Sequence, residues 1–276
     1  PDMSILLRDL DDVGVLRLTL NAPEKRNALS EDMLTALGSA FAEAGTDPHV
    51  RVIVLAANGK AFCAGHDLKE MTAGRAGEDR GRAYFTRVLT QCSAVMQGIV
   101  TCPKPVIAEV TGIATAAGCQ LVASCDLAIA ADTAQFSTPG VHIGLFCSTP
   151  MVALSRNVAN KHAMEMLLVG DMTPADRAAE IGLVNRSVAP DALRDEVMAM
   201  ARKIAAKSSM TLATGKRAFY AQREMSLRST VANAARRSVS ASSSTACGAP
   251  PRIPGALSIS SPCRGRYVFQ LRRKMA

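Results

Sequence analysis

Apolar and polar residues alternate near the start of the chain, and apolar residues then gather into short unbroken runs. Residues 4–8 and 14–20 alternate, which predicts two strands with one face buried. Residues 50–57 and 105–110 are nearly continuous apolar runs rich in β-branched side chains. Such runs are expected for strands of a sheet that is covered on both faces. Three shorter runs predict further strands, over residues 126–131, 134–137 and 183–188.

Helical periodicity fills the intervals between the strands. The predicted helices cover residues 30–44, 82–99, 119–125, 150–169, 174–181, 191–206 and 210–223. Residues 71–81 are charged and rich in Gly, which predicts a mobile loop. Repeated strand–strand–helix units, with helices gathered late in the chain, predict an α/β fold with a helical C-terminal region.

Charge divides the chain into a nearly neutral body and a basic tail. Of the 32 Lys and Arg residues, nine lie in residues 228–276, which contain no Asp or Glu; the other 23 are matched by 24 acidic residues. We therefore predict a core over residues 1–190, a helical region over 191–227, and an atypical, disordered basic tail over 228–276. A neutral body is not typical of a nucleic-acid-binding protein, so we expect no nucleic-acid partner.

The eight cysteines show neither a C-x-x-C pair nor zinc-ligand spacing. We therefore expect no metal site, no disulfide framework and a reducing compartment. No apolar run is long enough to span a membrane, so membrane insertion is not expected. The chain shows no secretory signal. Because it begins at Pro1 rather than Met, the loss of an N-terminal leader stays open as an alternative.

Two turns rich in small residues each follow a core strand. One has the sequence AFCAGHDLKE (residues 61–70) and the other TGIATAAGCQ (residues 111–120). A strand that ends in such a turn and leads towards a helix presents free backbone N–H groups at its carboxyl end. These groups can hold a developing negative charge. Two such turns can converge on one carbonyl oxygen.

The ordered motifs along residues 4–227 resemble those of the crotonase, or enoyl-CoA hydratase/isomerase, superfamily. The motifs are NAPEKRNAL (21–29), FCAGHDLKE (62–70), KPVIA (104–108), GIATAAGCQL (112–121), CD (125–126), QFS (135–137) and AAEIGLVN (178–185). The resemblance implies a spiral of ββα units that binds an acyl-CoA thioester and needs no cofactor beyond the coenzyme A of its substrate. It also implies a cytoplasmic protein in a bacterium, or a mitochondrial matrix protein in a eukaryote.

A homotrimer or a dimer of trimers is the assembly that the resemblance implies. The late helices, over residues 191–223, are amphipathic. We expect their apolar faces to exceed what one core can cover.

The resemblance also assigns residues to the site. The backbone N–H groups of His66 and Ala117 occupy the positions that bind the thioester oxygen. The wider set of predicted substrate and coenzyme A contacts is Lys25, Arg26, Ala64, His66, Asp67, Leu68, Lys69 and Ala117.

Two positions depart from the pattern of enoyl-CoA hydratases. Their two catalytic glutamates correspond to Gln120 and Gly140 in this chain. A Gln amide does not exchange protons near neutral pH and Gly has no side chain, so ordinary hydratase activity is doubtful. The pattern is most similar to that of the enoyl-CoA hydratase domain-containing protein 3 subgroup, whose members share these departures.

Several reactions are left open by the missing glutamates. One is the reaction of a crotonase-type lyase (hydratase) or isomerase that acts on an acyl-CoA of fatty acid metabolism. The alternatives are decarboxylation of a malonyl-type thioester, thioester hydrolysis, or non-catalytic binding of acyl-CoA by a regulator. Decarboxylation generates an enolate without a base. Nonspecific RNA binding through the basic tail is a weaker alternative.

Other polar residues near the two turns are given structural interpretations. We expect the His66 side chain to pack or to support the turn, and Asp67 to accept backbone N–H groups of its own loop. Cys147 is interpreted as a buried neutral thiol rather than a nucleophile, and Ser148 lacks a base. Asp126 is expected to have a buried structural role.

Overall fold

A computed structural model describes residues 4–226 of the chain, and its strands fall into two sheets. In chain order the strands are β1 (Leu6–Leu10), β2 (Val15–Leu20), β3 (Val52–Ala57), β4 (Ala61–Cys63), β5 (Val106–Val110), β6 (Ile113–Thr115), β7 (Leu127–Ala131), β8 (Gln135–Ser137), β9 (Thr173–Pro174) and β10 (Arg186–Val188). The six-stranded sheet has the order β1-β2-β3-β5-β7-β10, and the four-stranded sheet has the order β4-β6-β8-β9.

Successive strands alternate between the two sheets. β3, β5 and β7 pair in parallel in the larger sheet, and β4, β6 and β8, which directly follow them, pair in parallel in the smaller one. Helical segments separate these pairs of strands. Each turn of the chain therefore adds one strand to each sheet, and the predicted spiral of ββα units is confirmed.

The helices connect and cover these sheets. In chain order they are α1 (Glu31–Thr46), α2 (Leu68–Gly74), α3 (Arg82–Thr101), α4 (Ala117–Ser124), α5 (Ser148–Asn157), α6 (Asn160–Val169), α7 (Ala175–Glu180), α8 (Leu193–Ala205) and α9 (Ser209–Arg223). α1 begins as predicted, because the Ser30 side chain accepts a hydrogen bond from the Met33 N–H at 3.2 Å.

Two sequence predictions of local structure were wrong. The loop predicted over residues 71–81 begins inside α2, which Asp67 caps by accepting hydrogen bonds from two N–H groups of the first turn. The single helix predicted over residues 150–169 is broken at Val158, whose backbone is extended while its side chain is buried. At α2 the Asp67 cap outweighs the charged, Gly-rich composition, and at Val158 burial of the side chain outweighs the helical periodicity.

The larger sheet is covered on both faces. One face belongs to the main core with α1 and α3, while the other packs against α8 through Leu193, Val197 and Ala201. The expectation of uncovered apolar faces is therefore wrong for α8, whereas none of the described residues of α9 is buried and its Met210 and Phe219 are exposed. The predicted tail, residues 228–276, lies outside the described residues.

Candidate functional site

The two small-residue turns meet in space. A Cβ atom added to Gly65 would lie 3.1 Å from Ala116 Cβ and 3.5 Å from the Ala117 nitrogen. The Thr115 hydroxyl donates a hydrogen bond to the Ala64 carbonyl at 3.1 Å, which joins the turns directly. The two regions predicted to form one oxyanion site are therefore adjacent.

Sheet register brings the turns together. β4 and β6 are neighbouring parallel strands, so their carboxyl ends lie at the same edge of the smaller sheet. Gly118 allows the close approach, because a Cβ atom there would lie only 2.0 Å from the Cys63 carbonyl oxygen. Ala116 has φ +50°, a strained conformation for a residue other than Gly. The turn that precedes α4 is thus held by its surroundings rather than by its own preference.

The predicted oxyanion donors are backbone groups without carbonyl partners in the described part of the chain. Ala117 is the first residue of α4, so its N–H has no acceptor within the helix. In residues 4–226 neither this N–H nor that of His66 donates to another backbone carbonyl. Both groups are available to an acceptor brought by a ligand.

The predicted coenzyme A contacts surround the same turns. The Ala64 N–H donates to the Arg26 carbonyl at 3.1 Å, so the loop that carries Lys25 and Arg26 lies beside the first turn. The side chains of Lys25, Arg26 and Lys69 are exposed, as is that of Leu68 at 65%. The sequence-predicted residues therefore form one continuous surface with the two turns.

Buried Asn27 fixes the loop that carries Lys25 and Arg26. Its side-chain oxygen accepts a hydrogen bond from the Ala22 N–H, and its amide nitrogen donates to the carbonyls of Asn58 and Ala61. Arg26 and Asn27 both have positive φ angles near 50°. Three side-chain hydrogen bonds thus stabilise a backbone conformation that non-glycine residues rarely adopt.

Asp67 has the role predicted from the sequence. Its carboxylate accepts hydrogen bonds from the N–H groups of Lys69 at 2.9 Å and Glu70 at 3.3 Å. These bonds start α2 immediately after His66. The carboxylate is occupied by its own loop, so Asp67 positions the turn.

The His66 imidazole is enclosed without ordinary hydrogen bonds. Neither ring nitrogen has a partner of normal geometry among the described residues, and both nitrogens are buried. Burial lowers the pKa of His66 from its ordinary 6.5, and the Leu29 backbone offsets part of that shift. The ring is therefore predominantly neutral at physiological pH.

Gln120 lies one helical turn beyond Ala117 and is only 6% exposed. Its Oε1 atom is buried and has no hydrogen-bond partner among the described residues. Residues three apart on a helix share a face, so this amide is on the same side of α4 as the Ala117 N–H. An unpaired buried amide oxygen is costly unless a ligand or water supplies a donor.

Gly140 occupies a tight 3₁₀ turn formed by Pro139–Ile143. An added Cβ atom would lie 2.7 Å from the Leu145 carbonyl oxygen and 2.9 Å from the Cys147 sulfur. A glutamate side chain therefore does not fit this position without moving backbone. The turn as it stands has no room for the second carboxylate side chain.

The cysteines near the turns are neutral, buried thiols. Burial raises the pKa of Cys63 to about 12 and that of Cys119 to about 12. It also raises the pKa of Cys147. Ser148 donates its hydroxyl to the Phe146 carbonyl at 3.2 Å. These observations support the interpretation that neither Cys147 nor Ser148 is an activated nucleophile.

Asp126 has the predicted structural role, with partners that sequence reasoning missed. Its carboxylate accepts hydrogen bonds from the Val106 N–H at 2.8 Å, Lys216 Nζ at 2.6 Å and the Tyr220 hydroxyl at 2.9 Å. Lys216 also donates to the carbonyls of Ile99 and Lys104. The i, i+4 spacing of Lys216 and Tyr220 was the available signal. This group, which we call the Asp126 network, ties α9 to the core.

A cavity of about 460 Å³ lies between α3, α4, α5 and α9. From α4 it is lined by Gln120, Ala123 and Ser124, and from α9 by Tyr220, Arg223 and Glu224. Gly140 is not among its lining residues. Of the two positions that replace the glutamates, the structure places Gln120 alone on this cavity.

Residues 4–226 offer neither a metal-ion cluster nor a membrane-spanning helix. That part of the chain contains no cluster of three or more His, Cys, Asp or Glu side chains suited to a metal ion. None of its helices combines the length and apolar character needed to cross a bilayer.

Comparison with known proteins places these features in a family. Residues 11–246 match the family described as Enoyl-CoA hydratase/isomerase. The chain is 47% identical over 214 residues to enoyl-CoA hydratase domain-containing protein 3, mitochondrial, of Xenopus laevis, covering 78% of this chain and 71% of that protein. The human protein of the same name is 47% identical over 215 residues, covering 78% of this chain and 69% of that protein.

Solved structures agree with this assignment. An enoyl-CoA hydratase structure from Mycobacterium smegmatis has 54% sequence identity and a TM-score of 0.82, covering 86% of this chain and 91% of that one. The human domain-containing protein 3 structure has 42% identity and a TM-score of 0.81, with the same coverage. The predicted fold class and the resemblance to that subgroup are confirmed. The chain belongs to the enoyl-CoA hydratase/isomerase family.

Proposed function

We propose that this protein binds an acyl-CoA thioester with its carbonyl oxygen between the N–H groups of His66 and Ala117. The observation that carries the proposal is the approach of Gly65 to the Ala117 nitrogen, which puts two strand-to-helix turns side by side. Charge that develops on the oxygen as an enolate forms is stabilised by such preorganised donors. Loss of one donor of this kind typically costs about 10²–10³ in rate.

Coenzyme A lies, in this proposal, along the surface formed by Lys25, Arg26, Ala64, Leu68 and Lys69. The three cations suit its phosphates, and the exposed Leu68 side chain offers apolar contact. The substrate brings the coenzyme with it, and no other cofactor is proposed.

The acyl group extends from the oxyanion donors into the cavity beside Gln120. Ala117 and Gln120 share a face of α4, and Gln120 lines the cavity. A thioester held at the Ala117 N–H thus has its acyl carbons near the Gln120 amide, which gives the buried Oε1 atom access to a donor.

We propose that the protein acts on acyl-CoA but hydrates enoyl-CoA very slowly. The carboxylate that lines the cavity in the described residues is Glu224, which is exposed and paired with Arg156 at 3.1 Å. A buried neutral amide at Gln120 cannot relay a proton to or from water. Decarboxylation of a malonyl-type thioester is the second candidate, because it forms the enolate without a base.

The test compares turnover of crotonyl-CoA and malonyl-CoA by the wild type and by Gln120→Glu. We expect hydration by the wild type near background and a gain of about 10²-fold or more in Gln120→Glu, since one positioned acid/base group contributes about 10²–10⁴. Gln97→Glu is the matched control, since Gln97 lines the same cavity from α3. Rapid hydration by the wild type would contradict the proposal, and malonyl-CoA decarboxylation would select the second candidate.

We propose a homotrimer or a pair of trimers as the assembly. The support comes from exposed apolar side chains outside the late helices, on the loop before α5 and on α6: Ile143, Leu145, Phe146, Met164, Leu168 and Val169. Exposed apolar side chains of this number mark an interaction surface. Light scattering should report three or six subunits, and a monomer at all concentrations would contradict the proposal.

We propose a reducing compartment, as in the relatives. The frog and human relatives are named as mitochondrial proteins, and a similar solved structure comes from a bacterium. The six cysteines of the described residues are free and buried, which suits the mitochondrial matrix or a bacterial cytoplasm. A mass shift showing disulfides in protein isolated under thiol-blocking conditions would contradict this.

A further inference from the structure

The cavity beside Gln120 follows one face of α4 from its first turn to its last. Its lining residues on this helix are Gln120, Ala123 and Ser124, whose i, i+3, i+4 spacing defines a single face. A ligand that enters beside Gln120 is therefore directed along the helix axis. The cavity must end where another element closes this path.

The path ends at α9. Tyr220 lines the cavity and its hydroxyl donates to Asp126, which lies two residues beyond the end of α4. Gln120 and Ser124 are four residues apart, or about 6 Å along the helix at 1.5 Å per residue, and Asp126 follows two residues after the helix ends. Tyr220 therefore stands at the end of the cavity opposite Gln120.

The position of Tyr220 is fixed by polar contacts rather than by burial of the helix. None of the described residues of α9 is fully buried. Lys216, four residues earlier on the same face, donates to three acceptors in the core. Burial and the Asp126 carboxylate raise the pKa of Tyr220, so its phenol stays a neutral donor. The Asp126 network thus holds the aromatic ring across the end of the cavity.

The walls between these two ends are mostly apolar. Met96 and Val100 line the cavity from α3, Ala123 from α4, and Val152 and Ala153 from α5. Three charged side chains lie on its boundary: Arg156 and Glu224 form an exposed ion pair, and Arg223 donates to the Arg156 carbonyl. An aliphatic chain without a terminal charge matches this surface.

We propose that Tyr220 is a specificity-determining residue that sets the length of the acyl chain, and that Asp126 and Lys216 are positioning residues for it. The substrate class is then an uncharged aliphatic acyl-CoA whose chain ends against the Tyr220 ring. This inference rests on the proposed function, because it takes the cavity to be the acyl site. It goes beyond that function by naming the wall that selects the chain.

The experiment measures the affinity of the full-length protein for coenzyme A, butyryl-CoA, octanoyl-CoA and lauroyl-CoA by titration calorimetry. Wild type, Tyr220→Ala and Tyr220→Phe are compared. Phe219→Ala is the matched control, since Phe219 is the neighbouring ring on α9, is 54% exposed and does not line the cavity.

We expect Tyr220→Ala to shift the preferred chain towards lauroyl-CoA, with a gain of about tenfold for that ligand. This is the gain expected from burying roughly two more methylene groups. Phe219→Ala should keep the wild-type profile, whereas Tyr220→Phe, which keeps the ring but loses its hydrogen bond to Asp126, should weaken the chain-length preference. Free coenzyme A should bind all four proteins equally. Tyr220→Leu, which shortens the side chain but keeps an apolar packing surface, serves if Tyr220→Ala does not fold.

Two failures are distinguishable. If the wild type binds each acyl-CoA no more tightly than coenzyme A itself, the proposed function fails and this inference fails with it. If the wild type prefers an acyl chain, but Tyr220→Ala and Tyr220→Leu keep the same preference, the inference alone is overturned.

Discussion

His66 combines a backbone donor with a side chain that folding keeps neutral. Burial lowers the pKa of its imidazole below the ordinary 6.5. Between the lowered pKa and 6.5 the unfolded chain binds more protons than the folded chain. This residue's contribution to stability is therefore fully present above about pH 6.5 and is lost as the pH falls through the folded-state pKa.

We predict that the unfolding free energy changes less with pH when Gln replaces His66. As the pH falls from about 7.5 to about 5.5, the unfolding free energy of the wild type should decrease more than that of His66→Gln. Urea unfolding at several pH values measures it, and the other histidines cancel because both proteins contain them. A pH-independent difference would show that the imidazole is not buried uncharged.

Sequence reasoning indicated which backbone segments meet better than it indicated what surrounds them. Gly65, His66, Ala117 and Gln120 stand in motifs whose small residues indicate close backbone approach. The crowding at Gly140 could not be predicted, because it arises from the Leu145 carbonyl and the Cys147 sulfur folding back on the turn. From the sequence, Gly140 shows that the carboxylate is missing. It does not show that the turn is too crowded to hold one.

Helix α9 is attached to the core through the polar contacts of the Asp126 network. Lys216 and Asp126 form an ion pair with side-chain exposures of 8% and 16%, and the ammonium also satisfies two carbonyls. Removal of one partner from a buried pair typically costs about 3–5 kcal/mol, because the other charge is left uncompensated. Asp126 keeps the Val106 N–H and the Tyr220 hydroxyl, so we expect the lower end of this range.

We predict that Lys216→Met lowers the unfolding free energy by about 3 kcal/mol. Lys203→Met on α8 is the control, because Lys203 is exposed and a surface change of this kind stays within about 0.5 kcal/mol. Chemical denaturation of both variants provides the comparison. Equal stability of the two variants would mean that the Asp126 network does not hold α9.

Strands and helices could be predicted where the hydrophobic pattern was long. They could not be predicted where the element has only three residues. β3 and β5 are almost continuous apolar runs and were predicted nearly to their ends. β4 and β6 have three residues each, too few to show a period, yet their pairing brings the two turns together. α9 showed a helical period and the i, i+4 spacing of Lys216 and Tyr220, but their partner Asp126 is 90 residues from Lys216 in sequence and is indicated by neither feature.

The architecture as a whole explains how one chain brings the two small-residue turns, our proposed oxyanion donors, side by side. Each turn of the ββα spiral places a strand in the smaller sheet, and two successive strands end beside each other. The turns lie at an edge of the smaller sheet, where the hydrogen bond from Thr115 to the Ala64 carbonyl and the close approach of Gly118 to Cys63 hold them rigidly. A site built from backbone groups needs this rigidity, since no side chain can adjust the donors.

The fold and family were therefore accessible from the sequence, because the ordered motifs reflect backbone requirements of the spiral. The reaction was not, because it depends on groups that the motifs lack. Gln120 keeps its place on α4 and lines the cavity, while Gly140 lies in a turn without room for a side chain. These two positions lack the carboxylates of the enoyl-CoA hydratase pattern, whereas both small-residue turns are retained.

A crystal structure of the protein with a non-hydrolysable acyl-CoA analogue tests the central claim most directly. We predict that the carbonyl oxygen lies about 2.7–3.1 Å from both the His66 and the Ala117 backbone nitrogens, with the acyl chain running along α4 beside Gln120. A bound analogue whose carbonyl lies far from either nitrogen, or whose acyl chain lies outside the cavity, would contradict the account.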